Sequence, residues 1–247
     1  MTTRRARRRS LVRIEDGALP SPLFSRLARS VRALGTENLD RTYQTTFWFD
    51  LRAPAALPEE AILSLRERLR VRAVAGVEWW LSRMRTSDVQ VDFHRDRDEA
   101  LFRRTGRIAH PAISSVLFLN RCRGGLLAVV DAPPNDANPA CAPDALDADL
   151  VRPRPNRLAV FAGDATHGVL DANDDIPCRR LPAPMPLRLA LVMNWWKRRP
   201  EHVPRFADSR RYGTLRIGSG APSRGGDRTV PSSPHPERAL DVDLRRR

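Results

Sequence analysis

The sequence predicts a β-sandwich or barrel braced by helices, an α+β fold that is mainly β. Three observations lead there. Amphipathic helical spacing is confined to the N-terminal third. From residue 88 onward, short apolar runs of strand length follow one another: 88–94, 113–119, 125–131, 157–162, 167–170 and 187–195. Turn-forming residues separate them, namely Pro111, Gly124-Gly125, Pro133-Pro134, Pro153 and Pro155, Gly163, and Pro182, Pro184 and Pro186. Helices followed by many short strands fit a layered β architecture with helices on one face.

Taken in order, Leu23, Phe24, Leu27, Val31 and Leu34 recur at helical spacing between Pro20 and Leu34, with a start near Ser21. Tyr43 to Leu51 alternates and is rich in aromatic and β-branched types, which predicts a strand. Pro58-Glu59-Glu60 places a proline and two acids where a helix begins, and Ile62, Leu63, Leu65 and Leu69 continue it. Val71 to Arg85, with Trp79-Trp80, fits helix or strand equally well. No internal repeat is present. From Ser209 onward Gly, Ser, Pro and Arg dominate, a composition too poor in apolar residues to build a core.

Charge is distributed unevenly. The 247 residues carry a formal net charge of +14. Residues 1–13 hold six arginines and no acid, and the stretch from Lys197 onward has a net charge of +7, so the interior is nearly neutral. Lys197 is the sole lysine against 42 arginines. Such a skew is as readily compositional as functional, and solvated ends are favoured over nucleic-acid-binding arms. The organisation expected is a basic disordered tail at 1–13, one domain at 14–208, and a second basic tail at 209–247. Cys122, Cys141 and Cys178 form no CxxC pattern, and their odd number argues against a disulfide framework. No apolar run approaches the roughly 18 residues of a membrane span, and the charged start lacks a signal peptide's apolar segment. A cytoplasmic protein without a membrane partner is expected.

The chemistry-bearing residues are few. In VQVDFHRDRD, alternation along an extended segment puts His94 and Asp96 on one side, able to converge on one ion. His167 follows 71 residues beyond Asp96, after a turn and at the start of a strand. Two imidazoles and a carboxylate can occupy one face of a divalent iron and leave the other open for O2 and a cosubstrate. Arg188 heads the apolar strand LRLALVMNWW. A buried cation there needs a partner, and a ligand carboxylate would satisfy it. Asp98 lies about 13 Å from His94 if the strand continues, so it is expected to face solvent or support a loop. His110 precedes Pro111 and reads as a turn histidine, while His202 and His235 read as incidental. Trp79, Trp80, Trp195 and Trp196 read as core and rim aromatics, and Asn120 and Ser115 as packing residues. Zinc accepts the same ligands, but no HExxH spacing supplies a general base, so a zinc hydrolase ranks below iron.

The order His-x-Asp, distal His, Arg resembles the Fe(II)- and 2-oxoglutarate-dependent dioxygenases, particularly their prolyl-4-hydroxylase-like branch. HPAISSVLFLNRCRGGLLAVVD resembles that branch's strand, loop, glycine pair and next strand, and PNRLAVFAGDATHGV its lead-in to the distal histidine. The resemblance covers residues 86–196. It implies a double-stranded β-helix (jelly-roll) core, with His94, Asp96 and His167 as iron ligands and Arg188 binding the distal carboxylate of 2-oxoglutarate. One departure is a longer interval between His167 and Arg188, filled by DANDDIPCRRLPAPMP, in which Arg179 and Arg180 are weaker candidates for the same role.

By that resemblance the protein is an oxidoreductase that uses Fe(II), 2-oxoglutarate and O2, with ascorbate as an accessory cofactor. It would hydroxylate a protein side chain or small molecule and release succinate and CO2. A carboxylate at Asp96, in place of Gly or Ala, favours hydroxylation over halogenation. The alternatives are a nucleic-acid-directed oxygenase, or a binding module that works through the arginine-rich tails.

Overall fold

The computed structural model describes residues 10–36, 39, 46–89, 93–132, 148–177, 181 and 187–217. Its framework is two antiparallel sheets. The larger contains β1 (Arg13–Asp16), β7 (Arg157–Ala162), β4 (Ile113–Phe118), β9 (Leu187–Trp196), β3 (Gly76–Arg85) and β2 (Phe47–Phe49), in that spatial order. The smaller contains β6 (Ala148–Val151), β5 (Leu127–Val130) and β8 (Thr166–Val169). From β4 the chain crosses to β5 and β6, returns to β7, crosses again to β8, and ends in β9. This alternation between facing sheets is the winding of a double-stranded β-helix.

Side-chain alternation on the large sheet builds two cores. On one face Leu189, Leu191, Met193 and Trp195 of β9 join Val77, Trp79 and Leu81 of β3. They pack beneath α1 (Ser21–Ala33) and α2 (Leu57–Leu69), which contribute Leu27, Val31, Ile62 and Leu65. The opposite face sends Val116, Phe118, Ala159, Phe161 and Ala190 inward against Leu127, Val129 and Val151 of the small sheet. The even-numbered positions of β9, beginning with Arg188, therefore line the interior between the sheets. Trp79 is fully buried among Phe47 and Phe206, and cutting it to alanine would cost roughly 3–5 kcal/mol.

The helices follow the sequence signals. Leu27 and Val31, four apart, form the buried face of α1. In α2, Glu59 and Glu60 occupy the first turn and Arg66 and Arg68 the last, which suits the helix dipole, and Arg70 ends it in the left-handed region. The Val71–Arg85 segment, open between helix and strand, is β3 over most of its length; its partner in register along ten residues is β9.

Several elements depart from expectation. The strand predicted at 88–94 is reduced, where described, to a single bridge at His94. Residues 97–105 hold a short helix, α3 (Glu99–Thr105), that buries only Leu101. Described residues on either side of 14–208 also make contacts with it. Asp149 accepts hydrogen bonds from Ser10 Oγ and the backbone of Leu11 and Val12. At the other end Leu215 is fully buried, and Ile217 donates to Ala55 O. The remainder of both predicted tails, with Cys141, Cys178, Arg179, Arg180 and His235, lies outside the described residues. Among the described residues no helix is long and apolar enough to cross a membrane.

Candidate metal centre

The two histidines are joined through the backbone. His94 and His167 form an isolated antiparallel bridge with two reciprocal N–H to O=C bonds of 2.9 Å. This fixes two residues remote in sequence, and their rings lie 4.6 Å apart between centroids. Asp96, two residues on, turns back to meet both: Oδ1 is 3.4 Å from His94 Nε2, and Oδ2 is 3.5 Å from His167 Nε2. One ligand atom from each residue lies within 4.8 Å of the others. Such a cluster can hold one divalent cation.

Hydrogen bonds around the cluster fix how each group presents itself. His167 Nδ1–H donates to Ala165 O at 3.0 Å, which leaves the Nε2 lone pair facing Asp96. Phe161 packs against the same ring. Behind Asp96 runs a polar row across the inner face of the large sheet. Ser114 Oγ lies 2.8 Å from Asn194 Oδ1 and 3.4 Å from Asp96 Oδ2, and Asn194 itself hydrogen-bonds Asp96. Ser114 and Asn194 are partners in register, as are Asn194 and Glu78. On the other side His110 Nδ1 is 2.6 Å from the Asp96 carbonyl oxygen, so the imidazole N–H holds the ligand loop in place.

The electrostatics suit a cation. Burial opposes ionisation of Asp96, but the charges of His167 and His94 and hydrogen bonds from His94 and Asn194 outweigh it, holding the carboxyl at about 2. Burial pushes His167 below its ordinary value, against the pull of Asp96, a shift toward the neutral form that a metal binds. The His94 side chain is 39% exposed while Asp96 and His167 are near 10%, so the cluster opens to solvent on the His94 side.

Arg188, on the inner face of β9, is 1% exposed. Its Nε donates to Gly125 O at 2.9 Å and Nη1 to Ser82 Oγ at 3.0 Å, and Phe118 packs against the guanidinium. No carboxylate among the described residues pairs with it. Burial without a counter-ion lowers its pKa to about 10. Thr86 lies beside it: a Cβ placed on Gly125 would stand 2.9 Å from both Arg188 Cδ and Thr86 Cγ2. Thr86 Oγ1 is buried and has no hydrogen-bond partner. A cation and a hydroxyl left without partners side by side are groups that a carboxylate can satisfy.

The remaining candidates sort out by contact. Asp98 caps α3 through Leu101 N and accepts from Glu201 N, so it supports a loop but is buried and does not face solvent. Trp79 and Trp195 are fully buried, and Trp196 nearly so. Asn120 extends the β4–β9 ladder through Leu187 O and Leu189 N. Ser115 faces the helices, where it accepts from Trp195 Nε1. His202 is exposed and remote in contact from the cluster. Sequence reasoning missed Ser114, Asn194, Thr86 and the role of His110. Only the outward and inward alternation of β4 and β9, once β4 is placed, would have drawn Ser114 and Asn194 to the interior.

No protein-family model matches this sequence, and no curated protein matches it. Among solved structures the chain is similar to a Pseudomonas putida prolyl-4-hydroxylase, at 18% identity over 76% of this chain and 89% of that one, TM-score 0.44. It is also similar to a 2OG-Fe(II) oxygenase family oxidoreductase from Burkholderia pseudomallei, at 17% identity over 79% and 88%, TM-score 0.46. HygX from Streptomyces hygroscopicus, solved with nickel and 2-oxoglutarate, matches at 13% identity over 76% and 82%, TM-score 0.46.

Proposed function

We propose that this protein is an Fe(II)- and 2-oxoglutarate-dependent oxygenase that hydroxylates its substrate. The observation that carries this reading is the pairing of two features inside one jelly roll. A cluster of two imidazoles and one carboxylate stands open to solvent, and a buried arginine between the same sheets has no counter-ion among the described residues. Iron accepts such a ligand set and keeps open positions, and 2-oxoglutarate offers a second carboxylate at the far end of its chain. Bound together with O2, iron and 2-oxoglutarate supply oxidative decarboxylation to succinate and CO2 coupled to insertion of oxygen into a C–H bond.

The chain's own residues then have defined tasks. His94, Asp96 and His167 hold the metal, and Ser114, Asn194 and His110 keep the Asp96 loop oriented. Arg188 and Thr86 receive the distal carboxylate, and Ser82 and Gly125 hold the guanidinium aimed for it. The apolar wall of Val116, Phe118 and Phe161 keeps water from the interior. No observation on the described residues favours a module that works through its basic tails.

The test is conversion of 2-oxoglutarate to succinate by purified protein with Fe(II), followed by mass spectrometry. Slow uncoupled turnover that requires Fe(II) and vanishes in His167→Ala is expected. Turnover independent of Fe(II), or retained in that variant, would overturn the reading.

A further inference from the structure

A cavity of about 260 Å³ lies against the Asp96 loop through His110. Its wall is made by Asp98, residues 109–112, Trp196 at the end of β9, Lys197 and Arg198. The mechanism above uses none of its charged groups. Asp98, its one acid, already receives two backbone N–H groups, from Leu101 at 3.0 Å and Glu201 at 3.2 Å. Lys197 has no ion-pair partner among the described residues. Glu201, which feels the charge of Arg198, is itself held by Arg104. His110 commits Nδ1–H to Asp96 O, and Nε2 has no partner among the described residues.

The cavity is therefore lined by two exposed cations and an imidazole, and its one carboxylate, Asp98, is engaged by backbone N–H groups. It is too small for a whole drug-sized ligand, for which cavities of roughly 300–1,000 Å³ are usual, but it suits a compact head group. The composition adds a second argument. In a chain with 42 arginines, its single lysine stands at this wall. An ammonium is a compact point charge, suited to a tetrahedral oxyanion without the planar fork geometry of arginine. His110 links the cavity to the metal centre through one imidazole ring.

We propose that this cavity, lined by Lys197, Arg198 and His110, binds the phosphate group of a small phosphorylated prime substrate and so holds it beside the metal centre. The substrate role rests on the oxygenase reading; the anion site itself does not.

Isothermal titration of full-length, EDTA-treated protein with inorganic phosphate tests it, with succinate and a single-stranded oligonucleotide as parallel probes. Cobalt(II) titration of the same proteins reports on the metal centre separately. Saturable phosphate binding is expected, weakened about tenfold or more in Lys197→Ala and in Arg198→Ala. Both variants should keep wild-type cobalt affinity, and His94→Ala should lose cobalt but keep phosphate. The proposal falls if wild type shows no saturable phosphate binding, or if both cavity variants bind phosphate as wild type does. It falls equally if succinate binds as tightly as phosphate, or if only the oligonucleotide binds. Phosphate binding without cobalt binding would leave the anion site standing and remove the oxygenase reading; cobalt binding without phosphate would do the reverse.

Discussion

Replacing Arg188 with methionine separates a structural arginine from one kept for a ligand. The guanidinium is 1% exposed, and burial pulls its pKa well below the ordinary arginine value, to about 10. At about 1.36 kcal/mol per unit, that is roughly 3 kcal/mol of native-state cost. Because the folded value is the depressed one, the cost is present at every pH below 10 and is relieved only as pH rises from 10 toward the ordinary arginine value. Methionine removes the charge at similar volume, but it also removes the bonds to Gly125 O and Ser82 Oγ. Those two losses together cost roughly 2–4 kcal/mol. The opposing terms nearly cancel, so Arg188→Met should unfold in urea within about 1–2 kcal/mol of wild type. Cosubstrate binding should behave differently. Removing one partner of a buried charge pair costs about 2–5 kcal/mol, a loss of roughly thirtyfold to several thousandfold in 2-oxoglutarate affinity. Urea denaturation of metal-free protein and calorimetric titration of 2-oxoglutarate into the metal-loaded form give both numbers. A variant that is severely destabilised yet binds 2-oxoglutarate as wild type does would refute the assignment.

Ser114→Ala and Asn194→Ala should each weaken divalent-metal affinity by about 10–100-fold with little change in fold, because they release Asp96; competition against a chromophoric chelator measures this. Glu78 sits on the same row and is held by Trp196 Nε1; burial, aided by the charge of Asp96, raises its pKa to about 7. A raised carboxyl favours the folded state below about 4.5 and loses that advantage as pH rises through 7. Glu78→Gln should therefore flatten the fall in stability of metal-free protein between pH 5 and 8, read from urea midpoints, and a slope equal to wild type would contradict it. Gly125→Ala should destabilise by about 1–2 kcal/mol from its φ of +67° alone, and should further weaken 2-oxoglutarate by displacing Arg188; thermal melts with and without ligand check both effects.

The strands of the second half were legible because each buries at least one face and is bounded by proline or glycine. Their apolar runs match β4, β5, β7, β8 and β9 closely. The edges were not. β1 is Arg-Ile-Glu-Asp, largely exposed, and it is held by backbone pairing to β7, which leaves no hydrophobic alternation to read. β6 is an edge strand of four residues with the same weakness. α3 contributes one buried side chain, and its strongest sign, the Asp98 cap, lay within a charged run that resembled surface. At the site, the identity and order of His94, Asp96, His167 and Arg188 carried their own signal. Thr86 and Ser82 carry none, since a hydroxyl becomes informative only when burial leaves it beside a cation. The polar row through Ser114 and Asn194 depends on register between strands 80 residues apart, which neither segment contains by itself.

The central claim is that one iron and one 2-oxoglutarate bind together between these sheets. Anaerobic addition of Fe(II) and then 2-oxoglutarate to purified protein, followed by visible absorption, tests it most directly. A metal-to-ligand charge-transfer band should appear with wild type, be absent in His94→Ala, and need far more 2-oxoglutarate in Arg188→Met. Folded, iron-loaded wild type that shows no band at saturating 2-oxoglutarate would contradict it.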